Sequence, residues 1–299
     1  MSTKDSLSRY AIVLTCLILI PLVTVTVDSE NAAKEAMNTA LERVLPVLIP
    51  CFVLSNIIGA TLPEGNGRLS IFTVYSVGAT CGNPIGAVLT EKLYQRGCIS
   101  KKEASLLLPF CSHTSPAFCI CIIGKAVLGS SFLGGIMWLF SAITGLIATI
   151  VLSKKAKTTA SPPKEEIPDI RNAINTAIRN SASASCSVTV LMVFFTSLGS
   201  CLGTAFNMSE EVYAFFMGFL ELGSATLVAS ELPIHLRIAA CAFSAAFCGL
   251  SVFFQICACA PSIPKYPYLV IKCLMAGVAL ILASVFAPNF DIAIENHVF

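Results

Sequence analysis

From Leu69 to Thr90 the chain runs 22 residues without a charge, long enough for one membrane span. Its middle, however, reads Gly78-Ala-Thr-Cys-Gly-Asn-Pro-Ile-Gly86, which interrupts any helix laid across it. Asn83 suits an N-cap and Pro84 a first helical position, so a second helix is expected to start there. Each arm then holds about 11 residues, roughly 17 Å of helix, or half a bilayer core. The stretch is therefore either a kinked spanning helix or a re-entrant hairpin with its tip near the midplane.

Charge separates the two. With Lys4 and Arg9 cytoplasmic, the first span (Tyr10 to Val27) leads out and the second (Val44 to Ala60) returns. A hairpin then keeps Lys92, Arg96, Lys101 and Lys102 inside, and two further spans bring Lys154, Lys155, Lys157 and Lys164 inside as well. A full crossing would put both clusters outside, against the positive-inside tendency. Of the 19 Lys and Arg, the hairpin topology leaves Lys34, Arg43, Lys125 and Arg237 on the outer side, with Lys272 at a boundary. The hairpin is favoured, and with it a multi-pass protein of the cell membrane whose N-terminus is cytoplasmic.

Composition agrees with a lipid bilayer as partner. Hydrophobic residues make up 56% and charged residues 12%, with mean hydropathy +0.81. A net charge of +2 gives no reason to expect nucleic acid, because the basic residues sit in loops as topology signals. Lys4 and Arg9 precede an apolar run as in a signal peptide, but no clear small-x-small cleavage pattern precedes Asp28, so an uncleaved span is expected. The 14 cysteines are spread through apolar segments (Cys16, Cys51, Cys186, Cys241, Cys273), where a free thiol acts as a small hydrophobe. Cys119-Ile-Cys121 and Cys257-Ala-Cys259 lack the Cys-x-x-Cys spacing of zinc or redox sites. The sequence contains no phosphate loop, His-Glu-x-x-His or Gly-x-Ser-x-Gly, so neither an enzyme, a nucleotide-driven engine nor a cofactor is expected.

The expected fold class is an all-α polytopic membrane protein of inverted repeats, with about seven transmembrane helices and two re-entrant hairpins. Residues 1–43 make the first span and an interfacial amphipathic helix, Asp28 to Arg43. Residues 44–153 are repeat one, with its hairpin at 69–96 and a second span kinked at Pro46 and Pro50. Residues 154–170 form a polar, proline-bearing cytoplasmic linker, and 171–299 are repeat two, with its hairpin at 212–230. Asn38-Thr-Ala-Leu41 and Asn175-Thr-Ala-Ile178 open the two units, and each continues as a span, a segment interrupted by small residues, a long span with a polar break, and a plain final span. One unit starts outside and the other inside, as in many secondary transporters.

Folds of that kind gather their polar breaks near the midplane. The breaks here are Cys81–Gly86, Ser112–Pro116, Glu221–Ser224 and Gly249–Gln255. They nominate Gly82, Asn83, Pro84, Thr114, Ser115, Pro116, Glu221, Ser224, Ser251 and Gln255 as substrate-binding residues. Ser115 can cap, and Pro116 can start, a second half-helix. Helix N-termini at Pro84 and Pro116 favour an anionic or acceptor-rich small polar solute. Glu221 is the only acid in the middle of an apolar segment, where a charge costs roughly 2.5–3.5 kcal/mol, so it couples a proton or cation or serves as a neutral structural group. Gln255 either contacts solute or joins helices. His113, beside a break, is a functional residue or satisfied structure.

These breaks carry a resemblance. Gly82-Asn-Pro-Ile-Gly86, Ile99-Ser-Lys-Lys-Glu-Ala104, Leu108-Pro-Phe-Cys-Ser-His-Thr-Ser-Pro-Ala-Phe118, Gly218-Phe-Leu-Glu221 and Gly249-Leu-Ser-Val-Phe-Phe-Gln255 resemble the sporulation integral membrane protein family of YlbJ type. That family falls in the wider nucleoside-recognition, or Gate, domain group, found also in concentrative nucleoside transporters and in the membrane part of ferrous-iron transporters. The resemblance implies an endospore-forming bacterium, a role in spore formation and a transporter-like fold. Its motif positions are Gly82, Pro84, Gly86, Pro116, Glu221, Gly249, Ser251 and Gln255. Asn83 stands where the family tends to have an aromatic, Ser112-His113 where it has Asn-Thr, and Gly223-Ser224 where it has Thr-Asn, so the solute does not carry over. The expected function is movement of a small polar solute. The alternatives are a non-transporting scaffold in spore morphogenesis and a metal-ion permease using Cys119, Cys121 and His113. Homo-oligomerisation is left open.

Overall fold

The structure is a computed structural model that describes Ile20 and residues 27–61, 67–155 and 170–295. Apart from Ile20 and Val27, the expected first span lies outside the described residues, as does most of the linker 154–170. Every element among the described residues is a helix. Five runs are long and apolar enough to cross a membrane: Asp28–Gly59, Ser131–Lys154, Ile174–Ala205, Ile234–Cys259 and Tyr266–Ala287. Leu69–Cys81 and Phe118–Val127 are shorter apolar helices. The protein is thus an all-α polytopic membrane protein.

The segment expected to lie flat at the interface folds differently. Helix α1 (Val27–Thr39) passes without a break through a π-helical turn (Ala40–Val44) into α2 (Leu45–Thr61). The Leu45 N–H bonds back five residues, to the Ala40 carbonyl. That widened turn comes just before Pro46, which has no N–H to offer, and lets the rod continue where a regular helix would lose a bond. The whole rod runs antiparallel to α7 (Ile170–Ala205). Thr204 Oγ1 donates to Asp28 Oδ2 at 3.2 Å near one end, and Asn180 Nδ2 donates to Asn56 Oδ1 at 3.4 Å near the other. A helix packed along a neighbour in this way is not free to lie in the lipid surface.

Two helical hairpins follow the two rods. The first is α3 (Gly67–Cys81) and α4 (Ile85–Gln95), and the second is α8 (Glu210–Leu220) and α9 (Leu222–Ala229). At helical rise the arms measure roughly 12–22 Å, too short to cross a hydrocarbon core of about 30 Å. Each hairpin leads into an interrupted helix. One is α5 (Lys101–Cys111) followed by a π-helix (Phe118–Val127), and the other is α10 (Ile234–Phe247) followed by α11 (Gly249–Cys259). Plain helices α6 (Ser131–Lys155) and α12 (Tyr266–Glu295) close the series.

Side-chain contacts fix which end each piece occupies. Lys92 of α4 donates to Asn56 Oδ1 at 3.1 Å, Glu91 accepts the Ser262 N–H at 3.3 Å, and Ser105 Oγ donates to the Pro264 carbonyl at 2.7 Å. The first hairpin therefore opens at the end holding Lys92, Arg96, Lys101, Lys102 and Lys265. The second packs Tyr213 against Gly203 and Met217 against Gly199 of α7, and Arg237 Nη1 donates to the Val127 carbonyl at 3.3 Å. It opens at the opposite end, with Asp28, Glu210, Glu211 and Glu231. Both tips line one cavity.

Local chemistry starts the key helices. Ser100 Oγ accepts the Glu103 N–H at 3.3 Å while Glu103 Oε2 accepts the Ser100 N–H at 2.8 Å, a capping box that launches α5. Ser100→Ala is expected to lower stability by about 1 kcal/mol, read as a small drop in the thermal unfolding midpoint in detergent. An unchanged midpoint would show that α5 is held by packing alone. The apolar core around Ile71, Ile85, Leu89, Leu107, Leu108 and Ile256 fills the half of the bundle occupied by the first hairpin.

Candidate functional site

The cavity between the hairpin tips holds about 220 Å³. Its wall takes residues from every break: Cys81 and Asn83 from the first hairpin, Thr114, Ser115 and Phe118 from the first interrupted helix, Glu221, Leu222 and Gly223 from the second hairpin, and Val252 and Gln255 from α11. The rods complete it with Arg43, Val44, Val47 and Leu48 on one side and Val188 and Met192 on the other.

Each tip is seated by a glycine. Gly82 has φ 81°, and a Cβ there would lie 2.8 Å from the Ser115 backbone nitrogen. Gly249 has φ 82°, and a Cβ there would lie 3.1 Å from the Leu220 carbonyl and 3.2 Å from Glu221 Cα. Left-handed backbone plus close approach is a demand that only glycine meets without strain. The interrupted helices also hold each other, since Thr114 Oγ1 donates to the Ala245 carbonyl at 2.9 Å and lies 3.5 Å from Cys248 Sγ.

Of the nominated residues, Asn83, Thr114, Ser115, Glu221 and Gln255 line the cavity, whereas Gly82, Pro84, Pro116, Ser224 and Ser251 stand behind it. Ser115 Oγ accepts the Phe118 N–H at 3.2 Å and caps the half-helix that follows. Asn83 departs from expectation. Helix α4 begins at Ile85, whose N–H goes to the Gly82 carbonyl at 3.1 Å, and the Asn83–Pro84 peptide is cis. With the Gly82 carbonyl closing that turn, the Asn83 amide is not used as a cap, and both its polar atoms are buried without a partner among the described residues.

Glu221 is 3% exposed, and its Oε2 accepts the Ser224 N–H at 2.6 Å, so its carboxylate caps α9. This gives the positive end of that short helix a fixed acceptor. Ser224 Oγ is 2.7 Å from Thr196 Oγ1, tying the tip to α7. Ser251 is wholly buried with no partner for its hydroxyl among the described residues.

Two cations belong to this region although neither was nominated. Arg43 rides the continuous rod down to the cavity wall and also lines a groove of about 340 Å³ bearing Glu35, Asn38 and Glu42. A small pocket of about 20 Å³ between them shares Arg43 with both groove and cavity. Lys272, on α12, is 0% exposed, lies 3.6 Å from Cys248 Sγ and sits 5.8 Å from the centre of the Tyr268 ring. A lone cation inside the apolar run Tyr266–Ala287 was the signal available for it. For Arg43 no local signal was available, because its approach to the cavity depends on the helix running unbroken past Pro46.

Cys119 is buried, Cys121 is exposed, and His113 Nδ1 lies 3.2 Å from the Thr114 carbonyl. Among the described residues no three His, Cys, Asp or Glu side chains converge as metal ligands would.

With the geometry in view, comparison with known proteins adds one relative. The chain is 34% identical over 126 residues to the sporulation integral membrane protein YlbJ of Bacillus subtilis (strain 168). The match takes in 36% of this chain and 30% of that relative, so the chain covers less than a third of the relative's length. No family model matches, and no solved structure matches.

Proposed function

We propose that this chain, a relative of the YlbJ-type sporulation integral membrane proteins, serves in spore formation by moving a small polar solute through the cavity between its hairpin tips. One observation carries the proposal: helix interruptions from both halves of the sequence converge on one cavity that keeps a buried carboxylate, Glu221, in its wall. A charge-bearing group at that depth costs several kcal/mol less when it faces a polar space than when it faces lipid. The recurring order of rod, hairpin, interrupted helix and plain helix, with hairpins entering from opposite ends, supports a reading as inverted repeats around a central site. The basic end then faces the cytoplasm.

The test is uptake into proteoliposomes from a labelled panel of amino acids, nucleosides and dicarboxylates, with Glu221→Gln beside the wild type. Glutamine keeps the shape and an acceptor oxygen for Ser224 but cannot carry the charge. Coupled uptake is expected to fall at least tenfold, as for loss of a charged hydrogen-bond partner. Unchanged coupled uptake in Glu221→Gln would remove the role given to that residue.

A scaffold without transport is the second reading. It is favoured by the aliphatic walls and by the hydroxyls of Thr114 and Ser115, both already engaged in holding the fold. Absence of flux for the whole panel, with spore formation restored by Glu221→Gln in cells, would select it. The metal-permease variant has little support, since among the described residues His113, Cys119 and Cys121 do not converge.

A further inference from the structure

We infer that the solute taken by the cavity is a compact zwitterion, an α-amino acid with a short aliphatic side chain, its amine read by Glu221 and its carboxylate by Arg43. The inference rests on the small-solute reading and narrows it.

Size comes first. A cavity of about 220 Å³ has the room of roughly seven waters, which suits a solute of roughly ten non-hydrogen atoms. Charge comes second. One wall holds an acid, Glu221, that is nearly fully buried, and another holds a base, Arg43, yet no ion pair joins them among the described residues. Opposite charges that share a cavity without pairing leave each available to the complementary end of a solute. The half-helix that Ser115 caps starts in the cavity wall, and its positive end adds to the attraction for a carboxylate.

Unused polar groups come third. Gln255 is 4% exposed and lines the cavity, and its carboxamide has no protein partner among the described residues. The Asn83 amide is likewise unpartnered. A buried amide left open, as at Asn83, is costly unless a ligand or water completes it. The remaining wall is aliphatic (Val47, Leu48, Val188, Met192, Val252), which fits an apolar side chain and leaves a second charged or strongly polar arm unsatisfied.

The test uses the purified full chain in nanodiscs and follows thermal unfolding with L-leucine, L-leucinamide, 4-methylpentanoate, uridine, malate or manganese added separately. Saturating leucine is expected to raise the midpoint by about 5 °C, whereas leucinamide, lacking the carboxylate, and 4-methylpentanoate, lacking the amine, are expected to leave it unchanged. Glu221→Gln and Arg43→Gln should each lose the response to leucine. Arg43 is exposed, so its substitution tests recognition even if the Glu221 variant folds poorly. A shift of equal size with either truncated analogue, or a response to leucine surviving in Arg43→Gln, overturns the inference. A shift with uridine, malate or manganese but not leucine overturns it while leaving the small-solute reading standing. Silence from the entire panel also overturns it, and the uptake assay then decides the broader reading separately.

Discussion

Gly86→Ala is expected to prevent the first hairpin from docking and to cost the fold at least about 3 kcal/mol. A Cβ at Gly86 would lie 1.7 Å from the Cys111 carbonyl oxygen and 2.5 Å from its carbon. Gly78, on the other arm, approaches the same oxygen, with its own Cβ placed 2.1 Å away. The two arms thus grip one backbone carbonyl at the end of α5. Nothing flexible can yield there. Moving the carbonyl means moving the last turn of α5, whose Cys111 Sγ lies 3.0 Å from Thr90 Oγ1 and donates to the Leu107 carbonyl at 3.3 Å. Overpacking that forces side chains off rotamer and shifts backbone typically costs about 1–3 kcal/mol and occasionally more, and an overlap with a backbone oxygen as close as 1.7 Å belongs at the upper end.

The matched controls are Gly135→Ala in α6 and Gly277→Ala in α12, where a Cβ meets nothing within 4 Å. Alanine in those helices should be neutral or stabilising by up to about 1 kcal/mol. Thermal unfolding in detergent and the yield of monodisperse protein measure all three. Equal midpoints for Gly86→Ala and the wild type would mean that α4 and α5 do not approach each other in this manner.

Lys272→Met is expected to act in the opposite direction and raise stability by about 1–2 kcal/mol. A lysine at the centre of a membrane helix carries an insertion cost of roughly 2.5–3.5 kcal/mol, and Lys272, though only in the second turn of α12, is shut off from water by burial rather than by depth. Lys272 is wholly buried, and its visible compensation is the face of Tyr268 and the sulfur of Cys248. A cation–π contact returns about 0.5–2 kcal/mol, so a deficit remains. Methionine keeps the unbranched shape and the packing while shedding the charge. Lys272→Ala separates charge from volume: it also sheds the charge but leaves a void, so it should lie well below Lys272→Met. A loss of more than about 1 kcal/mol in Lys272→Met would show that the ammonium has an acceptor the fold requires.

Much of the architecture was readable because it rests on short-range chemistry. The interruptions at Gly82-Asn83-Pro84, Ser112–Pro116, Glu221 and Cys248-Gly249 lie in stretches where glycine, proline and small polar residues oppose a continuous helix. Ser115 caps its half-helix through a bond to a residue three positions on, within the reach of pattern reading. The residues that were misjudged share a different property. Asn83 has the right type for a cap, but whether it caps depends on how the neighbouring turn closes around the Gly82 carbonyl. In the sequence Arg43 reads as the last residue of an interfacial helix, whereas a π-turn carries the helix on unbroken into the next, packed along α7 more than a hundred residues away. Lys272 looked like a span edge, and its full burial arises from the break in another helix.

Hydropathy, charge placement and the positions of helix-breaking residues are properties of neighbouring residues along the chain, so the linear order alone settles an all-helical membrane protein and the places where its helices stop. Which interruptions share a cavity, which glycine faces which carbonyl, and which buried charge meets a partner are contacts between segments far apart in that order. Their energies depend on distances of a few ångströms that no local pattern encodes, and so they emerge only once the helices have packed.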